Sequence, residues 1–208
     1  MPVRNEREYR RIDIANLETR DAEDGGMIVE GYATTFGQRY LLWEDANYHV
    51  YEQVDARAFD GADMSDVIMQ YDHAGRVFAR IKNHTLQLTV DEHGLRIQAD
   101  LSGTDIGRQL YQEIRGGYTD KMSFGFTVAR DNRDVTENHE TGDITVVRTI
   151  QGFKKIYDVS AVSLPANDAT EISARNLSEG VIEEIRQEVA AVKERQRKKQ
   201  IISIKTKI

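Results

Sequence analysis

The sequence predicts an α+β domain with a strand-dominated core, followed by an amphipathic C-terminal helix. Apolar residues alternate with polar ones in a series of short segments, which is the period of half-buried strands. One segment of this body, Thr104–Arg115, instead repeats its apolar residues at helical spacing. The end of the chain differs again, because a narrow apolar stripe lies there among many charges.

The first half of the body contains three segments that predict strands: Met27–Thr34, Val50–Val54 and Asp66–Tyr71. A hairpin is predicted next, with one strand at His84–Val90 and the return strand at Leu95–Ala99. We expect Gly94, in the turn between them, to adopt a positive φ, since a residue without a side chain does so at little cost.

The helix predicted at Thr104–Arg115 has clear ends. Thr104 can cap its N-terminus, and the pair Gly116-Gly117 stops it. Its apolar face has three members: Ile106, Leu110 and Ile114. Three more strands are predicted after it: Lys121–Arg130, Asp143–Gln151 and Lys155–Leu164. Pro165 ends the last of these, because proline cannot donate to a strand ladder.

The C-terminal segment repeats apolar residues three and four positions apart: Ile182, Ile185, Val189 and Val192. So narrow a stripe predicts an amphipathic helix that either docks on a partner helix or packs on its own domain. Small and polar residues at Ala169–Ser178 indicate a boundary. We therefore predict a domain of residues 1–170 and a separate helix with a basic tail at residues 171–208.

The net charge of −7 is unevenly distributed along the 208 residues. Residues 192–208 contain seven Lys or Arg and one Glu, a charge of +6, which leaves −13 for residues 1–191. The acidic body argues against nucleic-acid binding except through the basic tail. The chain has no cysteine, which excludes disulfides and thiol nucleophiles. We find no signal peptide and no membrane span, so we expect a soluble intracellular protein.

Three residues are candidates for chemistry. On a strand, Ser123 and Gly125 would face away from the bulky apolar residues of their segment, on an open patch that another backbone could approach. His73 follows an apolar strand directly, where a base could be held rigidly. Asp158 falls on the same predicted strand face as Ile156, and a carboxylate there must be hydrogen-bonded or paired. A solvent-facing serine, a loop histidine and a structural ion pair are the alternatives.

A serine becomes a useful nucleophile when a general base accepts its proton, and a third group must orient that base. Ser123, His73 and Asp158, on three separate segments, supply these residue types. Composition and spacing alone do not select them.

Five segments follow one another in a distinctive order: Val29–Gly37 (VEGYATTFG), Asp72-His73, Gly94–Leu101 (GLRIQADL), Arg115–Phe126 (RGGYTDKMSFGF) and Tyr157–Asn167 (YDVSAVSLPAN). Together they span roughly residues 9–170, and they resemble the prohead (capsid maturation) serine proteases of tailed phages, relatives of the herpesvirus assemblins. The order of the five carries the resemblance, since no one of them is specific.

The resemblance implies a closed, mostly antiparallel β-barrel with surrounding helices, and a serine endopeptidase that acts through an acyl-enzyme. It implies Ser123 as nucleophile and His73 as base. Asp158 stands where many members carry glutamate, so it is the implied third residue. Assemblins use a second histidine instead, which leaves His84 and His49 open.

The resemblance also implies which chains are cleaved and where. The implied substrates are the scaffolding segment of the major capsid protein and the protease itself, cleaved inside the assembling prohead in the host cytoplasm. A homo-oligomer is left open, and no cofactor is expected. We expect backbone N–H groups near Arg115, Gly116 and Gly117 to form the oxyanion hole, with Arg76 or Arg80 assisting.

Two other classes of function compete with this interpretation. A non-catalytic capsid assembly or scaffold protein could retain the protease fold, although the presence of His73 and Ser123 argues against it. A metal-binding module would draw on four histidines: His49, His73, His84 and His93. Their spacing matches no common metal site.

Overall fold

The computed structural model describes residues 7–23, 25–45, 47–138 and 140–162, together with seven helical residues between positions 187 and 198. The apolar stripe of the predicted C-terminal helix and the boundary near residue 170 lie outside the described residues, so both stay predictions. In the described part, no helix is long and apolar enough to cross a membrane.

Residues 7–162 contain eleven strands, a short 3-10 helix and one α-helix. In chain order they are β1 (Glu8–Asn16), β2 (Glu18–Asp21), β3 (Met27–Thr35), β4 (Tyr40–Asp45), β5 (Tyr48–Val54), β6 (Ile68–Tyr71), β7 (Ala74–Arg80), the 3-10 helix (Ile81–Asn83), β8 (Leu86–Val90), β9 (Gly94–Asp100), α1 (Asp105–Arg115), β10 (Lys121–Glu137) and β11 (Ile144–Val162).

The described strands form two sheets that share one apolar core. The larger sheet has seven strands, in the order β1-β10-β11-β5-β4, with β6 pairing to β11 and β7 pairing to β6. The smaller sheet has the order β2-β3-β9-β8. Side chains from both sheets, such as Val29 and Ile97 of the smaller and Phe124 and Ile150 of the larger, belong to the same buried cluster.

The predicted closed barrel with surrounding helices is wrong. Closure would require the edge strands to hydrogen-bond to one another. Here β1 and β4 remain edges of the larger sheet, and β2 and β8 are the edges of the smaller one. The described fold is mostly β with a single α-helix in residues 7–162, rather than α+β.

The larger sheet forks instead of closing because β11 is long enough to have two different parallel neighbours. Its first part, Ile144–Ile150, pairs with β5, and its last part, Asp158–Ala161, pairs with β6. The two strands that the sequence predicted at Asp143–Gln151 and Lys155–Leu164 are therefore one continuous strand.

Most predicted elements are confirmed, while β1, β2, β4 and β7 were not predicted. The Thr104 hydroxyl accepts a hydrogen bond from the Gly107 N–H and caps α1, as expected. Gly94 does not adopt the predicted positive φ. A side chain there would instead lie 2.0 Å from the Thr34 carbonyl oxygen, so glycine is required by the close passage of β3.

A buried cluster of charges ties β1 to the rest of the larger sheet. Arg10 Nε donates to Glu52 Oε1 at 2.6 Å, and Arg148 Nη1 donates to Glu52 Oε2 at 2.8 Å. Both arginines also donate to Glu8. Burial favours the neutral form of Glu8, but the two positive charges outweigh burial and lower its pKa to about 2. Burial, followed by the charge of Glu52, raises the pKa of Tyr40, whose hydroxyl donates to Glu52.

Candidate active site

His73 lies in a two-residue turn between β6 and β7. The turn residues Asp72 and His73 have φ values of 46° and 56°. Positive φ at both positions suits the twist of a tight hairpin, and Asp and His are among the side-chain-bearing residues that tolerate it. A positive φ strains the backbone of a residue that carries a side chain, and it persists where neighbouring groups fix the conformation. Here the Asp72 N–H donates to the Ala161 carbonyl at 3.0 Å, and the His73 N–H donates to Ser160 Oγ at 3.3 Å.

The parallel pairing of β6 with β11 brings this turn beside Asp158. His73 Nδ1 lies 2.5 Å from Asp158 Oδ1. A carboxylate can only accept a hydrogen bond, so Nδ1 carries the proton and Nε2 is left as the acceptor. The Asp158 side chain is only 1% exposed, whereas that of His73 is 15% exposed.

Ser123 completes a line of three groups. It lies on β10 directly opposite Ser160 of β11, and His73 Nε2 is 2.5 Å from its Oγ. The hydroxyl, the imidazole and the carboxylate of Asp158 thus contact one another in sequence. The fold brings together the three residues that were predicted from the sequence, from three separate strands or turns.

A bulge in β11 turns Asp158 toward His73. Gly125 of β10 is opposite Asp158, but the next residue, Phe126, is opposite Ile156, which makes Tyr157 an extra residue in the strand. Ile156 therefore packs in the core, while Asp158 lies on the other face. The prediction that these two residues share a strand face is wrong, because it assumed an unbroken alternation.

Ser160 is not among the residues predicted for the site. Its hydroxyl donates to Asp158 Oδ1 at 3.0 Å and accepts the hydrogen bond from the His73 N–H, and it is fully buried. It therefore holds the carboxylate and the histidine turn at once. The signal in the sequence was its position two residues after Asp158, on the same strand face.

Because Gly125 has no side chain, there is room beside it for the carboxylate of Asp158. A Cβ at this position would lie 2.3 Å from Asp158 Oδ2 and 2.9 Å from the ring of Tyr9. Within the described residues, Asp158 Oδ2 accepts no hydrogen bond, and Arg7 Nη1 forms an ion pair with it at 3.8 Å.

The strand β1 covers the site. Ser123 is 3% exposed, and its hydroxyl lies within hydrogen-bond distance, 2.9 Å, of the Arg10 carbonyl oxygen. The ring of Tyr9 packs against that of His73, with 4.4 Å between the centroids. The expectation that Ser123 lies on an open patch is wrong, because β1 pairs along β10 from Glu8 onward.

The groups expected at the oxyanion hole have other partners. The N–H groups of Gly116 and Gly117 donate to the carbonyls of Gln112 and Ile114, at 2.8 and 3.0 Å, which closes the C-terminus of α1. The Arg115 guanidinium pairs with Asp21. Their part in binding an oxyanion stays a prediction.

The two arginines that were expected to assist lie in different surroundings. Arg80 pairs with Asp66 at 2.5 Å. Arg76 lines a cavity of about 400 Å³ beside the histidine turn, between β7 and α1. Tyr71 and Leu110 contribute to the walls of this cavity.

The other histidines that the structure describes are dispersed. His49 lies on β5 beside Glu44 of β4, at 3.7 Å, and His84 follows the 3-10 helix with a positive φ. His93 lies in the turn between β8 and β9. Across the described ranges, no three His, Asp or Glu side chains are grouped as a metal site would require.

Comparison with known proteins gives one family and one solved structure. Residues 15–185, most of the chain, match the family described as caudovirus prohead serine protease. No curated protein matches the chain significantly. Among solved structures, that of the bacteriophage T4 capsid assembly protease, gp21, is similar with a TM-score of 0.42 and 15% sequence identity, covering 75% of this chain and 96% of that one.

We expect Gly125→Ala to destabilise the protein by about 1–3 kcal/mol, the usual range for overpacking, because its methyl group would overlap the Asp158 carboxylate. Gly152→Ala is the matched control on the same hairpin, since a Cβ there would meet nothing closer than 3.8 Å. Urea unfolding of both variants measures the difference. Equal stabilities would contradict the close contact at Gly125.

Proposed function

The chain belongs to the caudovirus prohead serine protease family, and on that basis we propose that it cleaves peptide bonds through Ser123, His73 and Asp158. The observation that supports this assignment most strongly is the unbroken line of contacts from the Ser123 hydroxyl through the imidazole to the carboxylate. Each group in that line is of the type that its position requires: a nucleophile, a base and an orienting acid.

In the proposed reaction, Ser123 Oγ attacks the substrate carbonyl carbon while His73 Nε2 accepts the hydroxyl proton. The same proton passes to the leaving amine as the peptide bond breaks, which leaves an acyl-enzyme. Water then attacks the ester with His73 again as base, and the serine proton is restored. Asp158 keeps the Nδ1 proton in place throughout and stabilises the imidazolium that forms.

The oxyanion that develops on the substrate needs donors, each of which contributes roughly 10²–10³ in rate. We keep the backbone N–H groups of Gly116 and Gly117 as candidates. Because they donate within the end of α1, this role requires the last turn of the helix to open when substrate binds.

We propose Ser160 as a positioning residue for the same reaction. Its hydroxyl bridges the carboxylate and the backbone of the histidine turn, so it limits how far either can rotate. In the described part of the chain its hydroxyl bonds to Asp158 and to the His73 N–H rather than to Ser123, so its effect would pass through Asp158 and His73.

We also propose the substrates. The family description places this class of serine protease in the prohead, which supports the scaffolding segment of the capsid protein, and the protease itself, as the chains that are cut. A relation to the herpesvirus assemblins is a further proposal. It is supported by the order of the histidine and serine segments, although our proposal gives the third position to Asp158 and not to a histidine.

Co-expression with the major capsid protein of the same genome tests this function. We expect the wild-type chain to shorten both the capsid protein and itself, and Ser123→Ala to leave both at full length. Thermal unfolding should change little, because the hydroxyl contributes no bulk to the core, and Ser65→Ala, at an exposed serine, should process normally. Processing by Ser123→Ala would refute the nucleophile. Absence of processing by either chain, together with no labelling by a fluorophosphonate probe, would favour a non-catalytic assembly protein.

Asp158→Asn should slow cleavage of a peptide substrate by about 10⁴, because an amide can present the wrong hydrogen-bond polarity to the imidazole. His49→Ala and His84→Ala are the comparison variants, and we expect near-normal rates from both. If one of them lost activity on that scale and Asp158→Asn did not, the third residue would be that histidine.

Ser160→Ala should lower kcat by about 10- to 100-fold and leave KM nearly unchanged. A loss of this size corresponds to the free energy of one hydrogen bond to a charged group. Ser160→Thr keeps the hydroxyl and should recover part of the loss. A change in KM alone, or equal losses in the two variants, would show that Ser160 has no positioning role.

A further inference from the structure

The strand β1 and the residue just before it, Arg7, together contact every member of the proposed catalytic group. The Arg10 carbonyl lies against the Ser123 hydroxyl, the Tyr9 ring packs on the His73 ring, and Arg7 forms an ion pair with Asp158. The strand therefore occupies the space next to the nucleophile, where a substrate would have to bind.

The contact with Arg10 also competes with catalysis. A serine hydroxyl has one proton to donate. If that proton goes to the Arg10 carbonyl, at 2.9 Å, it is not available to His73 Nε2 on the other side. In addition, Ser123 is only 3% exposed, so no peptide carbonyl can reach its Oγ while β1 is in place.

We propose that β1 is an inhibitory strand: it holds the protease inactive by occupying the edge of β10, and an extended substrate reaches Ser123 only when β1 leaves. This inference rests on the proposed function. Departure of β1 would expose the unpaired backbone groups of β10 beside Ser123, and such an edge accepts another extended chain by strand addition. The inhibitory strand and the substrate thus exclude each other.

Arg10 and Glu8 both retain the inhibitory strand, Glu8 by accepting from Arg148 of β11. The Arg10 guanidinium reaches from β1 into the buried charge cluster and donates to Glu52 on β5, with Glu8 as a second acceptor. Most of β1 precedes residue 15, where the match to the protease family begins. The strand is therefore largely outside the matched region, and a buried ion pair fastens it to that region.

Labelling of Ser123 by a fluorophosphonate probe tests the proposal in the full chain. Arg10→Met removes the charge but keeps an unbranched, apolar side chain on the side of the Phe126 ring. Glu8 and Glu52 both retain Arg148 as a partner, so we expect this variant to fold. It should label about tenfold faster than the wild type or more, since hydrogen bonds to charged groups are among the strongest that retain a strand.

Two variants serve as controls. Arg96→Met removes an arginine that pairs with Glu30 on the smaller sheet, away from β1, and should label at the wild-type rate. Ser123→Ala should not label. A synthetic peptide with the sequence of residues 7–16, added to Arg10→Met, should slow labelling again, whereas a scrambled peptide of the same composition should not.

The wild-type chain offers a second measurement that needs no variant. Hydrogen exchange reports how often the β1 amides open, and low urea concentrations should raise this exchange and the labelling rate in proportion, before global unfolding begins. Labelling that stays constant while β1 opens would overturn the proposal.

The outcomes separate the inhibitory strand from the proposed function. Equal labelling of wild type and Arg10→Met, with faster β1 exchange in the variant, would overturn the inhibitory strand and leave the nucleophile intact. A complete lack of labelling in every chain would overturn both.

Discussion

A carboxylate in the middle of a buried strand must be compensated, and the arrangement at this site follows from that requirement. The Asp158 side chain is almost inaccessible to solvent, and an uncompensated charge at such a depth is penalised by several kcal/mol. Compensation comes from the imidazole N–H of His73 and the hydroxyl of Ser160, which both reach Oδ1. Gly125 has no side chain because Oδ2 lies where a Cβ would be. The buried carboxylate of Asp158 therefore constrains which residues can lie next to it.

The long strand β11 brings the three residues of the site together. Because it exceeds the length of any one neighbour, its two parts have different parallel partners, and the second of these partners ends in the histidine turn. On its other side, antiparallel pairing with β10 places Ser123 opposite Ser160. The bulge at Tyr157 then places Asp158 on the face opposite to that of Ile156. One strand thus fixes Asp158 directly, His73 through β6 and Ser123 through β10.

The sequence was sufficient for the parts of this arrangement that depend on local pattern. The helix with its Thr104 cap and the hairpin of β8 and β9 have periods that a single sequence reveals. The site residues needed the resemblance to a family as well, since a serine, a histidine and an aspartate on separate segments have no local signature. A one-residue bulge has no signature in the residue types of β11. The sequence therefore did not reveal on which face of the strand Asp158 lies.

Long-range pairing was the part that could not be predicted. The predicted barrel failed because closure depends on which edges meet, and alternation within a strand says nothing about that. β1 escaped prediction for a related reason. Its charged residues look like a solvated terminus, and it is the carboxylate of Glu52, far along the chain, that together with Glu8 makes burial of Arg10 favourable.

Because the strand over Ser123 belongs to the same chain, dilution does not weaken it. A tethered segment competes at an effective concentration on the order of millimolar. A free peptide at micromolar concentration is then disfavoured by about a thousandfold in occupancy, whereas chains packed to millimolar levels in a closed volume compete on nearly equal terms. Under the proposed inhibition, an enzyme restrained in this way would respond to the crowding of its substrates, and enclosure would favour the start of proteolysis.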